Sequence, residues 1–180
     1  MRGLGHGVAC LVVLLVSLGA PGLEATDERV ILGWIEEVVI GDGQLRLEAK
    51  LDTGADTSTL DAKHIRRLRR KSSGERFVEF DVLDPSTGDR VRFKEPLVRM
   101  ARIKQHSGRS QERPVVALDV CVGSISRRVE FTLADRRVFD YPVLLGREAM
   151  EGVIIVDPAI EATSEPACAA AESAASGSER

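Results

Sequence analysis

An aspartate, a threonine and a glycine stand together at Asp52-Thr53-Gly54, inside the stretch Leu51-Asp52-Thr53-Gly54-Ala55-Asp56-Thr57-Ser58. An acid that follows a strand and precedes a glycine sits on a tight loop, where backbone N–H groups can hold its carboxylate. Gly54 admits the close approach of another backbone or of a substrate, and Thr53 can lock the loop through its hydroxyl. The plain alternative is an Asp/Gly turn joining two strands, because the bare tripeptide turns up by chance in roughly a few per cent of chains of this size. A second segment, Val143-Leu144-Leu145-Gly146-Arg147, follows about ninety residues later, again at the end of a strand pattern.

Metal and nucleotide chemistry find no ligand set. Zinc takes three or four His, Cys or carboxylate ligands, and the three histidines, His6, His64 and His106, are far apart with no His-Glu-x-x-His. No Gly-x-x-x-x-Gly-Lys-Ser/Thr phosphate loop exists. Asp52, Asp56 and Asp61 lack the glycine and glutamate of a calcium-binding helix-loop-helix. No cofactor and no metal are expected.

The elements around these motifs are strands. Val30–Ile35 and Val38–Ile40 are β-rich and stop at Gly41-Asp42-Gly43, a tight-turn signal. Leu45, Leu47 and Ala49 then alternate with Arg46, Glu48 and Lys50, so 30–51 reads as a hairpin. Thr57–Leu60 is strand-like, and 61–71 is helix-like, with Asp61 as a cap and Ile65 and Leu68 on one face. Phe77–Val82 returns through the turn Asp84-Pro85-Ser86-Thr87-Gly88 to Val91–Phe93. Val98–Lys104 is extended. Val115–Val122 and Arg128–Leu133 form a hairpin around Gly123-Ser124. Val143–Leu145, one helical turn at Gly146–Met150, and Val153–Val156 complete the pattern. Many short strands at regular spacing imply an all-β barrel or sandwich.

With both motifs in this order, the sequence resembles the retroviral-type (retropepsin-like) aspartic peptidases, in which an Asp-Thr-Gly-Ala loop is followed by an apolar-apolar-Gly-Arg segment. It is more similar still to a bacterial branch often labelled ATP-dependent zinc proteases. The shared features are Gly33-Trp34, Ala49 to Ala55, Thr57-Ser58, the stretch from Ser107-Gly108 to Arg113-Pro114-Val115, Leu145-Gly146-Arg147 and Val156-Asp157-Pro158, covering about 30–158. Where the branch often carries a His shortly after Thr-Ser, this chain has Leu60-Asp61-Ala62. The resemblance implies a mainly β, closed acid-protease barrel with one or two short helices. It implies catalytic Asp52, Thr53 and Gly54, with Ala55, Ser107, Gly108, Gly146 and Arg147 about the substrate. Two aspartates that share one proton would activate water, as is general for aspartic peptidases. This chain has one Asp-Thr-Gly, so the simplest dyad is Asp52 from each of two chains, a homodimer. Asp56 and Asp157 are the internal rivals, with loop support or solvent and a turn as their plainer roles. A flap is also implied, and Arg102–Arg113 with Ser107-Gly108 at its tip fits that place. Arg147 is expected to brace the active-site loop or the dimer. The alternative function is a non-catalytic peptide-binding or dimerisation domain of the same fold.

Charge and composition bound the partners. The 180 residues carry 25 Lys+Arg against 28 Asp+Glu, a net charge of -3, which argues against a basic nucleic-acid protein. Residues 61–113 alone hold 15 cations and 8 acids. That excess is either a solvated face or a basic wall that attracts acidic peptides. No apolar run reaches the ~18–20 residues of a membrane span.

The two ends differ from the middle. Arg2, the apolar stretch Val8–Leu18 and the small residues before Pro21 form a signal-peptide pattern over 1–25, which implies a periplasmic or secreted bacterial protein. The folded domain is expected over 28–160. Residues 161–180, mostly Ala, Ser and Glu, read as a disordered tail. Cys121 and Cys168 remain after cleavage, and the sequence leaves their pairing open.

Overall fold

The computed structural model describes residues 29–41, 45–104 and 110–168. The expected signal segment and Ser107-Gly108 lie outside these residues, as do the final residues 169–180.

The chain is mainly β. Its strands are β1 (Val30–Gly33), β2 (Ile35–Ile40), β3 (Leu45–Leu51), β4 (Ser58–Asp61), β5 (Lys63–Arg69), β6 (Arg76–Leu83), β7 (Arg90–Pro96), β8 (Arg99–Lys104), β9 (Ser110–Val122), β10 (Ile125–Ala134), β11 (Val143–Leu145) and β12 (Ile154–Asp157). One short helix, α1 (Arg147–Met150), separates the last two. Strands run in the order β10-β4-β11-β3-β2-β9, and β9 pairs back onto β10, so six strands close into a barrel. β8 extends β9 outward as the second arm of a hairpin, with Lys104 opposite Ser110. Closure leaves no free edge among those six strands.

The alternation read in the sequence becomes the barrel lining. In β3, Leu45, Leu47, Ala49 and Leu51 are buried while Arg46 and Glu48 face water. They meet Val38 and Ile40 of β2, Leu60 of β4, Phe131 and Leu133 of β10 and Val143 and Leu145 of β11 in one apolar cluster.

Three expectations need correction. Residues 61–71 are not a helix: β4 runs through Asp61, and β5 pairs antiparallel with β6. The pairing shifts register between Lys63 and Arg66, with His64 at φ +50. Ile65 and Leu68 stand three apart in sequence, which imitates a helical face, yet Ile65 packs against the core while Leu68 is exposed. Residues 30–51 do not form a single hairpin either. β2 and β3 pair as expected, but β1 parts from β2 at Trp34 and runs parallel to β12. Finally, the ordered chain passes the expected edge at 160: a disulfide joins Cys168 to Cys121.

Candidate active site

Asp52 follows β3 directly, and the fold fixes its loop from below. The three-residue β11 inserts between the strands on either side of the loop, parallel to β3 and antiparallel to β4. The Asp52 N–H donates to the Leu145 carbonyl at 2.8 Å. Beyond β11 the chain turns under the loop, where the N–H of Arg147 donates to the Ala55 carbonyl at 2.8 Å and that of Glu148 to the Asp56 carbonyl at 3.1 Å. The buried Gly146 N–H donates to Ser58 Oγ at 3.1 Å.

Only glycine fits at 146. A Cβ there would stand 2.6 Å from the Asp56 carbonyl oxygen and 2.7 Å from both the carbonyl carbon and oxygen of Thr57. Arg147 then closes the clasp from outside: its Nη1 donates to the Thr53 carbonyl at 2.8 Å, and its Nη2 forms an ion pair with Asp56. Thr53 is thus tied through its carbonyl. Arg147 takes the bracing position expected of it, and Gly146 lies buried beneath the loop.

The Asp52 carboxylate is held in place but not covered. Its Oδ1 accepts from the Gly54 N–H at 2.9 Å, its Oδ2 stands 3.6 Å from Lys50 Nζ, and the side chain is 27% exposed. Of the two rival acids, Asp56 is engaged by Arg147, and Asp157 accepts from the Ala159 N–H at 2.9 Å, a turn role.

Of two open spaces on the surface, the first is lined by residues of this loop and the second is not. One, of about 400 Å³, is bounded by Thr53, Asp56 and Arg147 and by Ile154 and Val156 of β12. On the β1–β12 sheet, the register partners Ile31 and Ile155 are both exposed, at 60% and 47%, and strand alternation sets Ile155 on the face opposite Ile154 and Val156. The other is a cleft of about 670 Å³ between the start of β5, the β9 arm of the hairpin and the end of β10. Lys63, His64, Arg90, Arg113 and Arg137 line it, against the acids Glu112 and Asp135. Lys63 and Arg137 hold Asp135 well below the usual carboxylate range. His64 is fastened by Nδ1 to the buried Asp81 at 2.8 Å, and Asp81 also takes Arg92 Nε at 2.8 Å. Arg92 and His64 pull the Asp81 pKa down to about 2.

The strands also sort the basic run. Lys63 and His64 enter the cleft, whereas Arg66 and Arg70 form surface ion pairs with Glu79 and Glu75. Among the described residues no group of three His, Cys, Asp or Glu stands close enough to hold a metal ion. No helix among them is long and apolar enough to cross a membrane.

Arg136 went unnoticed in the sequence. It is 9% exposed. Its backbone N–H donates to Asp61 Oδ1 at 2.6 Å, its Nε donates to the Tyr141 carbonyl at 3.2 Å, and its guanidinium lies 4.5 Å over the Phe139 ring. Burial lowers its pKa, Asp61 and Asp52 oppose that, and Arg113 adds to it. The same guanidinium therefore lies within electrostatic reach of Asp52 and of the hairpin arm.

A closed six-stranded barrel with an Asp-Thr-Gly loop clasped by Leu-Gly-Arg defines a retropepsin-like protein. Residues 31–166 match the RimB-like family, described as retropepsin-like aspartic endopeptidase RimB, and the chain belongs to that family. Its relatives include a probable alpha-L-glutamate ligase of Shewanella pealeana, 34% identical over 139 residues, which cover 74% of this chain and 29% of the relative. Another, from Desulfotalea psychrophila, bears the same name and is 36% identical over 118 residues, covering 64% of this chain and 25% of the relative. The chain thus spans less than a third of the length of these curated relatives. A crystal structure of a Legionella pneumophila protein of unknown function superposes with a TM-score of 0.64 at 33% identity, over 75% of this chain and 98% of that one.

Proposed function

We propose that the chain is an aspartic peptidase whose working form is a homodimer, with Asp52 of each copy contributing to one dyad. The observation that carries this reading is the Asp52 loop itself, pinned by Leu145, Gly146 and Arg147 while its carboxylate stays open to solvent. Two such carboxylates brought face to face share one proton, because like charges a few ångströms apart cannot both ionise. The ionised one removes a proton from water, and the protonated one polarises the scissile carbonyl. The exposed register partners Ile31 and Ile155 on the β1–β12 sheet offer apolar surface for the second copy.

Acidic peptides are the substrate class that the surroundings favour. Five cationic or potentially cationic side chains line the cleft under the hairpin arm, and the name of the ligase relatives points to glutamate chemistry in proteins that carry a similar segment. The Cys121–Cys168 disulfide supports export to an oxidising compartment, in line with the apolar segment at 8–18.

Asp52→Asn tests the reading. The variant keeps the fold, because the amide can still accept from the Gly54 N–H, and cleavage of an acidic peptide drops by about 10²–10⁴-fold or more. Turnover equal to that of the parent removes Asp52 from the mechanism. Sedimentation of the parent in its active range should give twice the chain mass, and a monomer with full activity would exclude a two-chain dyad.

A further inference from the structure

Residues 161–168 belong to no strand, yet they are anchored along their whole length. The Ala162 N–H donates to the Ile35 carbonyl at 2.8 Å. Thr163 and Ser164 then converge on the carboxylate of Glu36, which is 1% exposed. The Thr163 N–H lies 3.1 Å from each of its oxygens, the Thr163 hydroxyl donates to Oε1, and the Ser164 N–H and hydroxyl reach Oε2 at 3.2 and 3.3 Å. The Gly33 N–H completes the set at 2.6 Å. Burial alone would raise the Glu36 pKa, but the Thr163 hydroxyl and the surrounding N–H groups outweigh it and hold the group ionised. At the far end the Ala167 N–H donates to the Gly123 carbonyl at 2.8 Å, and Cys168 is bonded to Cys121. The seat is close-fitting: a Cβ on Gly33 would stand 2.5 Å from the Ile160 carbonyl oxygen, and one on Gly123 2.9 Å from Ser164 Oγ.

The segment that carries this strap also carries the active-site strand. The Trp34 N–H donates to the Ile160 carbonyl at 3.1 Å, and the Trp34 carbonyl accepts from the Leu51 N–H at 2.8 Å, one residue before Asp52. Ile35 and Glu36 lie opposite Lys50 and Ala49 of the same strand. Residues 34–36 are therefore held between the strap on one side and the root of the Asp52 loop on the other.

We propose that residues 161–168 form a redox-released strap: reducing Cys121–Cys168 frees the segment from Glu36 and, through Trp34 and Leu51, loosens the Asp52 loop. A dithiol supplies the two electrons and two protons. The Sγ–Sγ bond breaks, two thiols form, and the reductant closes into a cyclic disulfide. Without the cross-link the free end regains the chain entropy that the loop of separation 47 had removed. The donors on Glu36 are then exchanged for water.

Hydrogen-exchange mass spectrometry of the full chain, with and without dithiothreitol, tests the strap. The expected result is exchange about tenfold faster or more over 161–168 and at the Leu51 and Asp52 amides after reduction, reversed on reoxidation. Cys168→Ser should exchange fast without reductant and should not respond to it, which assigns the effect to this bond rather than to Cys10, the third cysteine of the sequence, in the apolar stretch 8–18. Unchanged exchange over 161–168 overturns the release, and release with unchanged Leu51 and Asp52 overturns the coupling. The effect on turnover rests on the peptidase reading, with about a tenfold loss expected on reduction, on the scale of the local opening. A chain that cleaves no peptide in either redox state refutes that reading, while the exchange data still decide the strap.

Discussion

Gly146→Ala isolates the clasp beneath the Asp52 loop. The backbone at 146 has φ -86 and ψ 176, which alanine adopts without strain, so any cost comes from space alone. To restore an ordinary contact of about 3.4 Å, the Asp56 carbonyl, at 2.6 Å from the added methyl, must retreat by about 0.8 Å. The atoms in the way are backbone, not a flexible side chain. Overpacking of this kind costs ~1–3 kcal/mol. The retreat also stretches the bonds from Arg147 N–H to Ala55 and from Glu148 N–H to Asp56, worth ~1 kcal/mol each. Lower entropy of the unfolded alanine chain returns ~0.4–1 kcal/mol. The net expectation is a loss of ~2–4 kcal/mol, or roughly 6–12 °C in Tm for a domain of this size. Urea unfolding followed by tryptophan fluorescence measures it directly, since Trp34 is the only tryptophan. Gly152→Ala is the control: its φ is +79, but the added methyl meets nothing within 4 Å. It should cost only the ~1 kcal/mol of a left-handed alanine and leave peptidase activity intact. A Gly146→Ala protein within ~0.5 kcal/mol of the parent would refute the claim that β11 and the loop are locked together through this position.

Three further outcomes are expected. Ser58→Ala removes the acceptor of the buried Gly146 N–H and should cost ~1–3 kcal/mol; a change below ~0.5 kcal/mol in urea unfolding would mean that another group replaces the hydroxyl. The folded pKa of Asp81 is depressed from 3.8 to about 2, so its contribution is present above the unfolded value and is lost as pH falls through the folded one. The stability gap between the parent and Asp81→Asn should therefore be flat above about pH 5 and close towards pH 2, and a gap independent of pH would show that the Asp81 charge is not what matters. Acidic peptides should be cleaved faster than neutral ones of equal length, with a preference that shrinks as salt rises. Arg113→Glu combined with Arg90→Glu in the cleft should raise KM for the acidic peptides more than Arg66→Glu combined with Arg70→Glu does, and the reverse ranking would move the groove to the other side of the β5–β7 sheet.

Local pattern made much of this protein legible from its residues. The alternation in β3, the β9–β10 hairpin and the apolar triplet of β11 are each patterns within one segment, and each was readable from neighbours alone. Asp52, Gly146 and Arg147 were marked by motif, because backbone turns at such sites accept very few residue types. The pairing of segments far apart in sequence was decided by tertiary structure. Nothing local tells β1 to leave β2 at Trp34 for β12, or tells β11 to enter between β3 and β4. Residues 61–71 misled because Ile65 and Leu68 stand at helical spacing, while pairing with β6 outweighed local propensity. Arg136 was hidden because its burial depends on Asp61, Tyr141 and Phe139, which only the closed barrel brings around it. Residues 161–168 looked too poor in large hydrophobes to order themselves, and on their own they are. Their order comes from a buried carboxylate on β2 and a cysteine on β9, contacts of 127 and 47 residues' separation that exist only once the barrel has closed.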